Sequence, residues 1–180
     1  WGQVLLYPAG YAVERIEVDA SLRLPEGWQQ ASALRVAAQS GGSWRYRTVS
    51  VETLVDSPVI AGRHMKRFDL DPGGRSAVAL NVFASDPKHL DASDEQIAAH
   101  RNLVTQADRL FGARHFAHYD FLLMLSEPMD YLGLEHHQSS ENGLKPGYFN
   151  DWAKTSWGRD LLPHEYTHSW NGKFRRPREL

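Results

Sequence analysis

The chain has 180 residues, of which 42% are hydrophobic and 23% are charged, an ordinary composition for a globular protein of one domain or two small ones. Its net charge of −2 gives no electrostatic case for binding nucleic acid or an anionic membrane. Cysteine is absent, which excludes disulfides and thiolate metal sites and leaves His, Asp and Glu as possible metal ligands. No apolar run approaches the roughly 20 residues that cross a bilayer.

The first half of the chain has the pattern of β-strands. Apolar and polar residues alternate in several segments, and turn signals such as Asp71-Pro72-Gly73-Gly74 separate them. The segments are 13–18, 22–24, 44–48, 64–70 and 77–82. They predict an N-terminal antiparallel β domain over residues 1–85, with Trp28 and Trp44 in its core.

The hydrophobic period changes to that of a helix near residue 93. Ser93 and Gln96 fit a capping box at the start of this helix, and Gly112 is suited to end it. One helical face is predicted to carry Ile97, Leu103, Val104, Ala107, Leu110 and Phe111. We therefore assign residues 86–180 to a second domain.

Two strands are predicted after this helix. The continuous apolar run 119–125 is typical of a buried strand. Residues 133–139 predict a strand that carries polar groups, followed by a turn at Asn142-Gly143.

Residues 164–168 read His-Glu-Tyr-Thr-His, an H-E-x-x-H pattern. Histidines four positions apart lie on one side of a helix, so His164 and His168 can both reach one zinc ion. Glu165 then lies beside the metal and can accept a proton from a water molecule that zinc has acidified. Asp160 is the expected N-cap, because Pro163 is tolerated only in the first turn of a helix. The pattern alone leaves open an ordinary amphipathic helix.

The motifs together resemble the glycyl aminopeptidase family, bacterial zinc metallopeptidases that commonly also carry a PDZ domain. The resemblance is carried by Gly-Leu-Glu-His at 133–136, Asp-Ser-Pro-Val at 56–59 and residues 164–173. It implies an α+β fold of the gluzincin type, in which a β domain precedes the first part of a thermolysin-like catalytic domain. It also favours export to the periplasm.

The resemblance implies a role for each motif residue. His164 and His168 would be zinc ligands and Glu165 the general base of an aminopeptidase that removes small N-terminal residues. Glu135 would bind the free α-amine of a peptide substrate, an ion pair that physical chemistry supports. His136 is a further candidate for substrate binding. Because alternate strand residues point to opposite faces, at most one of His136 and His137 faces the cleft.

One element of the family pattern is missing. A gluzincin needs a third zinc ligand, a glutamate about 18 or more residues after the second histidine, and Glu179 has the wrong spacing. We therefore expect the chain, which starts at Trp1 without a methionine, to be the front part of a longer enzyme whose third ligand lies beyond Leu180. These 180 residues are expected to be inactive alone. The alternatives left open are a thermolysin-like endopeptidase and a non-catalytic peptide-binding module.

Overall fold

The computed structural model describes residues 5–74 and 76–176, and it shows an α+β fold, as predicted. Three α-helices are present there: α1 (Val51–Val55), α2 (Asp94–Phe111) and α3 (Leu161–Trp170). The strands are β1 (Glu17–Val18), β2 (Ser21–Arg23), β3 (Gln29–Ser32), β4 (Val36–Ser40), β5 (Ser43–Tyr46), β6 (Val49–Ser50), β7 (Val59–Gly62), β8 (His64–Asp69), β9 (Ala77–Ala84), β10 (His118–Leu125), β11 (Leu132–Glu135) and β12 (Ser139–Leu144). In the described part of the chain, no helix is long and apolar enough to cross a membrane.

The N-terminal part consists of small antiparallel sheets, in agreement with the prediction. One sheet has the order β2-β5-β4, and β3 pairs with β7 and β1 with β6. Strand β5 alternates exposed and buried residues, so that Trp44 and Tyr46 enter a small core with Leu34 and Leu54. The predicted strand 13–18 is wrong in its first half, because Val13–Arg15 form a 3-10 turn.

A five-stranded sheet of order β11-β12-β10-β9-β8 is the centre of the molecule. Strand β10 runs parallel to both β9 and β12, whereas β8 and β11 pair antiparallel at the two ends. The sheet therefore contains strands from both sides of the domain boundary that the sequence predicted at residue 85. Strand β10 is the predicted apolar run, and its aromatic and aliphatic side chains are almost all buried.

The two faces of the central sheet bury different elements. On one face, Leu80, Phe121 and Leu123 pack with the apolar sides of α2 and α3. On the other face, Phe83 and Leu122 pack against Ala31 of β3. The alternation of side chains along the strands thus places the helices on one side and the β3–β7 strand pair on the other.

Helix α2 has the predicted ends. Ser93 Oγ accepts a hydrogen bond from the Gln96 N–H at 3.3 Å, and Gln96 Oε1 accepts one from the Ser93 N–H at 2.7 Å. Gly112 ends the helix in the left-handed conformation, with φ of 71°. The predicted apolar face is wrong at Leu110, which is 74% exposed.

The predicted turn at Asn142-Gly143 is wrong, because both residues lie inside β12. The chain instead turns at residues 136–138, between β11 and β12. Asn142 is suited to a buried strand here because its amide donates to the backbone oxygens of Leu122 and Ser140. Gly143 is required for close approach rather than for a turn, since a Cβ there would overlap the Met129 carbonyl oxygen.

Candidate active site

Helix α3 carries the H-E-x-x-H residues and is anchored by its apolar side. Leu162 and Tyr166 are each 1% exposed, and the Trp170 indole N–H donates to the Ala113 carbonyl at 2.8 Å. The helix begins after Asp160, as predicted, with Pro163 in its first turn. The Asp160 side chain makes no capping hydrogen bond there, so its backbone carbonyl alone joins the helix, accepting from the His164 N–H at 2.9 Å.

The two histidines of α3 converge on the open side of the helix. Their Nε2 atoms are 3.1 Å apart, close to the spacing of about 3.4 Å that two nitrogens have on one tetrahedral zinc ion. His168 Nδ1 lies 3.1 Å from the Asn171 carbonyl oxygen and must donate to it. This bond leaves the Nε2 lone pair of His168 available to a metal.

Glu165 lies between the histidines in sequence but is directed toward the sheet, where it is only 4% exposed. Burial raises the pKa of its carboxyl group, the nearby His164 counteracts that shift, and Glu135 adds to it. The carboxylate lies directly against Gly133 of β11, since a Cβ there would overlap Glu165 Oε1. The strand and the helix therefore hold Glu165 in a narrow space.

Strand β11 forms one end of the central sheet and brings Glu135 to the same face as Gly133. Glu135 is therefore on the side of the sheet that faces α3. His136, the next residue, is the first of the turn, and both of its ring nitrogens are engaged. Its Nδ1 lies 3.4 Å from Asp56 Oδ1, and its Nε2 lies 3.1 Å from Glu141 Oε2.

The geometry of α3 fits two of the ligands that a zinc ion needs. Within residues 5–74 and 76–176, no group of three or more His, Cys, Asp or Glu side chains is arranged to hold a metal ion. Glu179, the late acid considered in the sequence analysis, lies outside the described residues. The described chain therefore offers a preformed histidine pair with a carboxylate beside it.

Two family models match the chain at its two ends. The Peptidase M61 N-terminal domain matches residues 1–63, and the M61 glycyl aminopeptidase model matches residues 157–180, which include the whole of α3. The resemblance to the glycyl aminopeptidase family is confirmed. The N-terminal family match ends just before β8, the first strand of the central sheet. No curated protein matches the chain.

Two solved structures share the fold of this chain. One is an aminopeptidase N family protein from Idiomarina loihiensis, which is 23% identical with a TM-score of 0.69 over 91% of this chain. The other is an M1 zinc metallopeptidase from Deinococcus radiodurans, which is 17% identical with a TM-score of 0.55 over 87% of this chain. The chain spans 29% and 34% of the lengths of these two proteins.

Three residues near the glycyl aminopeptidase motifs acquire a structural role that the sequence did not assign. Gly133 leaves space for the Glu165 carboxylate. Asp56 and Ser169 bind the turn that follows Glu135. All three residues stand inside the segments that carried the family resemblance, so that resemblance was the available signal for them.

Proposed function

We propose that this chain provides the front part of the active site of a zinc aminopeptidase. The observation that carries the proposal is the convergence of His164 Nε2 and His168 Nε2, 3.1 Å apart, beside the buried carboxylate of Glu165. In this proposal the two histidines hold zinc, and a third protein ligand follows Leu180. Bound zinc would acidify a water molecule and polarise the scissile carbonyl group.

Glu165 moves the proton. Its carboxylate accepts a proton from the attacking water, and the water oxygen forms a bond to the carbonyl carbon of the substrate. Glu165 then gives that proton to the leaving nitrogen as the C–N bond breaks. Burial favours this double role because it raises the pKa of the carboxyl group.

Glu135 holds the substrate by its free N-terminus. A carboxylate at the end of β11, on the face directed toward α3, pairs with the α-ammonium group and fixes the first peptide bond near the histidine pair. His136 acts on this contact indirectly, because its ring is engaged by Asp56 and Glu141. The substrate of this proposal is therefore a peptide with a free N-terminus and a small first residue.

The test compares Glu165→Gln with wild type in the intact protein. The variant should keep its zinc, measured by elemental analysis, and lose about 10²–10⁴-fold in kcat on alanyl and glycyl peptides. Glu127→Gln, which removes an exposed carboxylate elsewhere, is the matched control and should keep full activity. A wild-type protein that neither binds zinc nor cleaves these peptides would overturn the proposal.

N-acetylated versions of the same peptides separate an aminopeptidase from an endopeptidase. Acetylation removes the positive charge that Glu135 is proposed to bind, so wild-type cleavage of these peptides should be lost. Equal cleavage of free and acetylated peptides would assign the chain to an endopeptidase instead. Retained zinc without cleavage of either peptide would favour a binding module.

A further inference from the structure

The turn between β11 and β12 is held from two sides at one residue, His137. Its backbone N–H donates to Asp56 Oδ2 at 2.7 Å. Its backbone carbonyl accepts from the Ser169 hydroxyl at 2.7 Å. Asp56 ends α1 in the N-terminal part of the chain, and Ser169 follows His168 in α3. One residue of the turn thus connects the N-terminal part to the helix that bears the histidine pair.

Asp56 is itself fixed by several partners. Its Oδ1 accepts from Lys173 Nζ at 3.0 Å and lies 3.4 Å from His136 Nδ1. Burial alone would raise the pKa of Asp56, but the hydrogen bonds from His136, His137 and Lys173 together lower it to about 2. The carboxylate is therefore ionised at neutral pH and attracts the Lys173 ammonium group.

Ser169 belongs to a closed ring of hydrogen bonds. Its side chain is fully buried, and its single hydroxyl proton is donated to the His137 carbonyl. The Ser169 oxygen therefore accepts from His115 Nε2, 2.9 Å away. His115 Nδ1 is then the acceptor for His137 Nε2, at 3.3 Å. The ring ties both the backbone and the imidazole of His137 to α3.

Glu135 depends on this turn for its position. It is the last residue of β11, one residue before the turn begins. In the described ranges, no hydrogen bond or ion pair holds its carboxylate, so the backbone that carries it determines where it lies. The same turn accepts a hydrogen bond from Ser169, the residue after His168. Only a short stretch of chain on each side of this hydrogen bond separates Glu135 from the histidine pair.

We propose that Asp56 and Ser169 are positioning residues that set the distance between Glu135 and the histidine pair, and thereby the recognition of the substrate's α-amine. The inference rests on the proposed aminopeptidase function and adds to it the device that makes amine recognition depend on the N-terminal part of the chain. Neither residue contacts substrate in this scheme; both act through the backbone of His137.

The test measures amine recognition without turnover in the intact zinc-loaded protein. Alanine hydroxamate and propionohydroxamate differ only in the α-amine, so the ratio of their dissociation constants, measured by titration calorimetry, reports the contact with Glu135. Asp56→Ala removes the oxygen that accepts from the His137 N–H, which is the contact through which Asp56 is proposed to act. We expect it to reduce the preference for alanine hydroxamate about tenfold, with the affinity for propionohydroxamate unchanged.

Ser169→Ala is the second variant, and it should reduce the same preference although it lies on a different element. Glu52→Gln, which removes a carboxylate from the same helix α1, is the matched control and should keep the wild-type ratio. Equal weakening of both inhibitors in the two variants, or an unchanged ratio in either folded variant, would overturn the inference. A wild-type protein without preference for the amine-bearing inhibitor would instead overturn the proposed function.

Discussion

Gly133 lies in β11 against the Glu165 carboxylate. Because Gly133 has no side chain, it leaves the space that this carboxylate occupies. An added Cβ would overlap Glu165 Oε1 and lie 2.9 Å from Leu161 Cδ1. The glycine is needed for close packing between strand and helix, because its φ is not in the left-handed region. The strand that presents Glu135 and the helix that presents Glu165 are therefore in direct contact.

Under the proposed function, Gly133→Ala should reduce kcat about 10²-fold in the intact protein, since the extra methyl group displaces the carboxylate that we propose carries the proton. The free energy of unfolding should fall by about 1–3 kcal/mol, because the overpacked helix must shift. Steady-state kinetics and urea denaturation measure the two effects. Gly147→Ala, whose Cβ meets only the end of the Asp151 side chain at 3.1 Å, is the control. An unchanged kcat would contradict the assignment of Glu165.

At the scale of elements, the histidine pair could be predicted from the sequence because helical periodicity alone places residues 164 and 168 on one side. The capping box of α2 and the buried strand β10 could be predicted for the same reason, since each is a local pattern. The turn between β11 and β12 could not. Its position depends on Asp56, 81 residues away from His137, and on the carbonyl of Met129 close to Gly143.

The ring of hydrogen bonds between α3 and this turn predicts a loss of stability in acid. Burial, and then the neighbouring His137, lower the pKa of His115 to about 4. A histidine in an unfolded chain has a pKa of about 6.5. Between that pH and about 4, the unfolded chain therefore binds a proton at His115 that the folded chain does not bind. The stabilisation is fully present above pH of about 6.5 and is lost as the pH falls toward about 4.

Urea denaturation between pH 4 and 7 measures this dependence. His115→Gln should lower stability at neutral pH and flatten its fall toward acid, because the group that titrates is gone. His64→Gln on β8 replaces a histidine outside the ring and should keep the wild-type pH profile. An equally steep fall in the His115→Gln variant would contradict the role of this histidine.

At the scale of the whole molecule, a polar network joins strands β8, β9 and β10. Asp120 is 2% exposed and accepts from Arg67 Nη1 at 2.9 Å and from Asn81 Nδ2 at 3.0 Å. On the same strand, His118 Nε2 donates to the Ala33 carbonyl at 2.9 Å, which ties the central sheet to the N-terminal part. These long-range partners explain why sequence patterns could not show how β8 and β9 associate with β10.

Asp120→Ala should lower the free energy of unfolding by about 3 kcal/mol, because it removes the buried carboxylate that accepts from both the Asn81 amide and the Arg67 guanidinium. Asp91→Ala is the matched control, since its ion pair with Lys66 is exposed and should contribute less than about 1 kcal/mol. Denaturant unfolding of both variants gives the comparison. Equal effects would show that the buried network does not stabilise the fold.

The predicted domain boundary at residue 85 remains a proposal at this scale. Strands β8 and β9 precede it and pair with β10, which follows it, while the N-terminal family match ends at residue 63. Alternating patterns show that a segment is a strand, but they do not show which strand is its neighbour. The membership of β8 and β9 in the central sheet could therefore be established only from the structure.

Under the proposed function, the place of β11 at the end of the central sheet leads us to expect a restricted set of peptide substrates. A peptide can add to such an edge strand only when it is extended and its backbone amide groups are not hydrogen-bonded elsewhere. N-termini that are helical or buried in a folded protein would not bind. Short oligopeptides and the loose leading ends of nascent or partly degraded proteins would be accepted.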